Sequence, residues 1–133
     1  MTNQATGAFD VKMIPQTAEP VGGATIGRML LDKQYHGPLA ATSKGQMLAM
    51  RTAVEGSAGY VAMELVEGKL DGRSGSFVLQ HSGTMNRGDA LLVLGVVPDS
   101  GTGELTGLSG KMDIIIAEGK HSYRFDYSIV EPQ

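Results

Sequence analysis

Seven side chains in this sequence could gather around one small molecule: Arg51, Tyr60, Glu64, Phe77, His81, Tyr123 and Tyr127. Glu64 and His81 are the catalytic candidates, because a carboxylate and an imidazole on neighbouring strands can move protons on a shared substrate. Arg51 would pair with Glu64, since a buried charge is costly without a partner. Phe77 and the three tyrosines would line an apolar ligand. Two blander readings use the same residues. They could form an ion-pair network that only holds the fold, or stand in solvent at an open rim. Taken alone, a histidine like His81 is more often structural than catalytic. The pocket reading is carried forward, with binding ranked ahead of catalysis.

Other chemistries find less support. His36, His81 and His121 have neither His-x-His nor His-x-x-x-His spacing, so no metal site is expected. No residue pattern calls for a cofactor. The chain has no cysteine, which removes disulfides, thiolate nucleophiles and cysteine-based zinc sites. Ser74-Gly75-Ser76 and Gly101-Thr102-Gly103 lack the P-loop pattern and read as turns. No Gly-x-Ser-x-Gly elbow occurs at a strand-to-helix junction.

The elements that must position these residues are strands. Eight extended segments are predicted, roughly Gly7–Ile14, Thr25–His36, Gln46–Val54, Ala58–Val66, Ser76–Thr84, Ala90–Val97, Lys111–Ala117 and Lys120–Ile129. Turn signals separate them: Gly22-Gly23, Glu55-Gly56, Asp71-Gly72, Arg87-Gly88-Asp89, Pro98-Asp99-Ser100-Gly101 and Glu118-Gly119. Gln16–Val21 reads as a loop, and no helix beyond about two turns is expected. Short connections favour antiparallel hairpins, and closure into a barrel would remove exposed edges. A two-sheet sandwich is the alternative.

A Gly-x-Leu mark recurs at Gly37-Pro38-Leu39, Gly68-Lys69-Leu70 and Gly103-Glu104-Leu105, each followed by a strand-like stretch that opens on Gly45, Gly75 or Gly110. Counting from those last glycines assigns faces, because side chains alternate across a strand. Met47, Ala49 and Arg51 face inward with Phe77, Leu79 and His81, and with Met112, Ile114 and Ile116. This count puts Arg51 and His81 at equal depth. His121, Tyr123, Phe125, Tyr127 and Ile129 form the inward series of the last strand. A two-residue turn at Asp71-Gly72 pairs Leu70 with Arg73, hence Glu64 with Leu79 and Ala62 with His81. A slip of one residue would turn Glu64 outward.

Bulk properties agree with one soluble domain over residues 1–133. The chain has 41% hydrophobic residues and a net charge of −3. No basic patch suggests nucleic-acid binding, and no apolar run suggests a membrane helix. The first residues carry neither a basic nor an apolar leader region, so a cytoplasmic protein is expected. Ala90–Val97 is apolar on both faces. Its outer face predicts a homo-oligomer, dimer or trimer.

The run Ser57-Ala58-Gly59-Tyr60-Val61-Ala62-Met63-Glu64 and the run from Gly72 through His81 to Met85 resemble a small bacterial domain family of unknown function. Lys33–Gly37, Thr42–Gly45, Pro98–Gly110 and Gly119–Tyr123 extend the similarity across nearly the whole chain. That family belongs with the allene oxide cyclase-like barrels. The resemblance implies an all-β, single eight-stranded antiparallel barrel, related in fold to allene oxide cyclase and plant dirigent proteins. It supplies no catalytic motif, and cyclase activity does not follow from fold. The function expected is binding of a small apolar ligand in the lumen, with isomerase or cyclase chemistry as its enzymatic form. A filled structural or assembly module is the rival.

Overall fold

The alternating segments become long strands in a computed structural model, which describes residues 2–16, 19–21 and 24–130. The strands are β1 (Asn3–Pro15), β2 (Glu19–Val21), β3 (Ala24–Tyr35), β4 (Leu39–Arg51), β5 (Ala58–Leu70), β6 (Arg73–Asn86), β7 (Asp89–Val96), β8 (Leu108–Ala117) and β9 (Lys120–Ile129). A 3-10 turn spans Gly103–Leu105. Every pairing is antiparallel. The order runs β1-β9-β8-β7-β6-β5-β4-β3-β2, and β1 also pairs with β3. That last pairing closes the eight long strands into a barrel, as expected, and excludes the sandwich. β2 is a short addition along β3. It replaces part of the loop expected over Gln16–Val21, and Pro20 is tolerated there because the strand lies at an edge. The Gly22-Gly23 turn signal lies outside the described residues.

Among the described residues, three hairpins turn on a residue followed by glycine with positive φ at both positions: Asp71 (49°) and Gly72 (83°), Arg87 (49°) and Gly88 (96°), Glu118 (53°) and Gly119 (75°). This turn twists in the same sense as the strands it joins. The β5–β6 register follows directly, with Leu70 opposite Arg73, Glu64 opposite Leu79 and Ala62 opposite His81. β4 is longer than expected. It begins at Leu39 and passes through Gly45 without a break. A Cβ at Gly45 would lie 2.2 Å from the Met63 carbonyl oxygen and 2.8 Å from the Glu64 Cα, so the close β4–β5 approach requires glycine.

The leucines of the three Gly-x-Leu marks, Leu39, Leu70 and Leu105, are all buried in the main core. The marks differ in local form. Leu39 begins a strand, Leu70 ends one, and Leu105 sits in the 3-10 turn. This core also holds Phe77, Leu79, Tyr123, Phe125 and Tyr127. Phe77 stacks on Phe125 with ring centres 5.8 Å apart, and Phe125 on Tyr127 at 5.3 Å. Such density is that of a protein interior, not of a channel. The opposite end is bounded by Arg51, Ala58, Met85 and Ala90 and is open. Among the described residues no helix is long and apolar enough to cross a membrane.

Candidate functional site

β3, β4, β5 and β6 carry the inward polar groups. Glu64 is 1% exposed, Lys33 6% and His81 3%. Lys33 Nζ lies 2.8 Å from Glu64 Oε2. The Tyr35 hydroxyl donates to Glu64 Oε1 in a short hydrogen bond. Lys33 Nζ also lies 5.3 Å from the centre of the Phe9 ring and 5.8 Å from that of Tyr35, close enough for attraction to both faces. His81 Nε2 is 3.7 Å from Glu64 Oε2, too far for a hydrogen bond, and has no hydrogen-bond partner among the described residues. Its Nδ1 faces the Tyr60 hydroxyl at 3.5 Å.

Burial alone would push the Glu64 carboxyl up, but His81, Lys33 and the Tyr35 hydroxyl together hold it down at about 2, against an ordinary 4.5. Lys33 and Tyr35 are the firmer causes, because they touch the carboxylate and His81 does not. Burial and the Glu64 charge raise the phenols of Tyr35 and Tyr60. The cluster is therefore a fixed carboxylate, a cation and neutral phenols.

Above the cluster, at the open end, is a cavity of about 350 Å³. Its inward lining includes Met47, Ala49, Tyr60, Met85 and Leu92, with Arg51 at the rim. The Tyr60 ring lies against Gly83 on β6, where a Cβ would be 2.3 Å from the ring edge. Glycine at 83 makes room for the ring, which is tilted 59° to the His81 ring with centres 6.2 Å apart. Tyr60 thus stands between the cavity and the buried cluster. A second depression, about 480 Å³, is bounded mainly by outward residues such as Leu48, Val61 and Met63, and reaches His81.

Of the seven expected site residues, the structure brings Tyr60, Glu64 and His81 together. It separates the others. Arg51 does not pair with Glu64. It lies opposite Ala58, six residues before Glu64 on β5, or about 20 Å along the strand. Nor does it share the depth of His81, because Arg51 aligns with Met85 across β5. Phe77, Tyr123 and Tyr127 belong to the packed end and do not line the cavity. Tyr123 is a structural latch: its hydroxyl donates to the His36 carbonyl at 2.6 Å and accepts from the Leu39 amide at 3.1 Å. Tyr127 donates to Asp71 in the β5–β6 turn. His36 is exposed beside Asp10, and His121 packs against Phe9, so the three histidines do not converge.

Lys33 and Tyr35, the true partners of Glu64, were absent from the expected set. Alternation along β3 could have found them, since both are in phase with the buried Leu31. A lysine is usually assigned to the solvent face, and that habit hid the signal.

A family model described as "Protein of unknown function (DUF3224)" matches residues 5–127. The chain belongs to the DUF3224 family. A crystal structure of a DUF3224 protein of unknown function from Shewanella oneidensis MR-1 is 55% identical, with 100% of both chains covered and a TM-score of 0.93. No curated protein matches. The DUF3224 barrel thus comes with a fold and a site geometry, and no activity attached to either.

Proposed function

We propose that this DUF3224 protein binds a small, largely apolar molecule at the open end of its barrel. The observation that carries this is the cavity of about 350 Å³, whose walls are mainly methionine, alanine and leucine, with Tyr60 and Arg51 also among its lining residues. Its size and its few polar groups suit a small-molecule site. The apolar part of the ligand would sit against Met47, Ala49 and Leu92.

The test is a cavity-filling variant. Ala49→Trp should weaken binding of a small apolar fluorophore such as 1-aminoanthracene by at least about tenfold, because the indole occupies the ligand's volume. Unchanged affinity in the correctly folded variant, or no binding by the wild type, would sink the proposal.

A filled structural barrel describes the closed end well, where Phe77, Leu79, Tyr123 and Phe125 leave no space for a ligand. That observation confines the binding proposal to the mouth. Isomerase or cyclase chemistry by Glu64 and His81 would further require Tyr60 to swing aside. Turnover that survives both Glu64→Gln and His81→Ala would remove these two residues from any mechanism.

A further inference from the structure

The β7–β8 pairing differs from every other join between long strands. Among the described residues it registers at one pair, Gly95 with Lys111. β5 and β6, by contrast, pair continuously from Leu70–Arg73 to Ala58–Met85. Extending the single β7–β8 pair places Leu94 by Met112, then Leu92 by Ile114, then Ala90 by Ile116. Burial declines in that order: the first two are buried, the next two half-buried, the last two exposed. Ile116 is 67% exposed, although its row continues through His121 to Phe9, which is 4% exposed. The strands meet near the closed end and part toward the mouth.

Chain connectivity explains the parting. β7 and β8 are joined by Val97–Gly107, not by a tight hairpin. That connection follows β6: the Val97 amide donates to the Val78 carbonyl at 2.9 Å and the Thr102 amide to the Ser76 carbonyl at 2.8 Å. No turn forces β7 and β8 together. The flanks of the gap are apolar at Leu91, 66% exposed, Val93, 60%, and Ile115, 45%, while Asp113 beside Val93 is paired with Arg124 of β9. Ala90, Leu91 and Leu92 of β7 also line the mouth cavity.

We infer that the splayed β7–β8 seam is a lateral entrance to this cavity and that the ligand is a hydrocarbon chain of the fatty-acyl class with one polar end. The inference rests on the binding function proposed for the open end. The chain lies in the cavity and leaves between Leu91 and Val93 on one side and Ile115 and Ile116 on the other. Its polar end stays at the seam, where water and the unpaired strand edges meet it.

Two experiments test the entrance. The chain has no native cysteine, so Val93→Cys with Asp113→Cys can be oxidised to lock the seam and reduced to release it. Association of cis-parinaric acid should slow by at least about tenfold when the pair is oxidised and recover on reduction. Equal rates in both states would overturn the entrance and leave the binding function standing. Binding of 1-aminoanthracene without binding of parinaric acid would overturn the ligand class alone. Failure of both probes on the wild type would overturn the binding function and the entrance with it. Amide exchange reads the seam without any ligand. Those amides of Asp89–Leu94 and Met112–Ala117 that point into the seam should exchange faster than the amides of β5 and β6. Protection there, from continuous pairing or from a second copy laid over the seam, would overturn the inference.

Discussion

Glu64 is almost wholly buried and still ionised, because Lys33 and Tyr35 meet its two oxygens. Removing one partner of such a pair leaves an uncompensated charge in the interior. Glu64→Gln should therefore lose about 3–5 kcal/mol in urea unfolding, whereas Lys33→Met combined with Glu64→Leu should recover most of it. The pH dependence has a definite sign. Folding lowers the carboxyl from 4.5 to about 2, so its contribution is present above pH 4.5 and is lost as pH falls toward 2. The wild type should lose stability over that window more steeply than Glu64→Gln; parallel profiles would contradict this assignment. The inward placement of Glu64 and His81 was legible from strand alternation and the Asp71-Gly72 turn. The partner of Glu64 was not, because partnership depends on which strand lies across the lumen or alongside, and two cations, Arg51 and Lys33, were available.

At the scale of elements, the hairpin turns carry register and also tie the barrel's closed end. Asp71 holds a positive φ and accepts the Tyr127 hydroxyl from β9, so one residue serves the turn and a contact far along the chain. Burial, with the Asp71 hydrogen bond and charge, raises the Tyr127 phenol from 10.0 to about 12. A raised pKa contributes stability below pH 10 that is lost as pH climbs through 12. Asp71→Asn keeps a residue suited to the turn and removes the charge, so ultraviolet titration should show Tyr127 ionising at lower pH. Asp71→Ala should cost a further 1–2 kcal/mol, roughly the penalty of a side chain forced into the left-handed region. An unchanged Tyr127 titration in Asp71→Asn would refute the Tyr127–Asp71 hydrogen bond. The hairpin positions were readable because Asp-Gly chemistry is local. The strand ends were not, since ladder pairing with the neighbouring strands carries β4 through Gly45 and β6 through Gly75, where the glycines read as turns.

For the whole molecule, the barrel divides into a packed end and an open end, with the Glu64 cluster beneath the Tyr60 floor. A ligand held at the mouth stabilises the folded state only. At one hundred times its Kd it should add about 2.7 kcal/mol. For a chain of this size that raises Tm by roughly 10 °C. Calorimetry with 1-aminoanthracene should show the shift in the wild type and not in Ala49→Trp. A Tm that ignores the probe at saturation would argue for a wholly structural barrel.

The strands, their inward faces and the β5–β6 register are written in the sequence by itself. Period-two alternation and two-residue turns act over a few residues and need no knowledge of the rest of the chain. Depth in the barrel, the partner of Glu64 and the site of the cavity were decided only by tertiary structure. Closing a barrel staggers its strands. Gly45 ends up opposite Glu64 and Leu79, four residues along β6 from its repeat counterpart Gly75. Equal counts along two repeats therefore reach different depths: Arg51 arrives at the rim, and His81 lies beneath Tyr60.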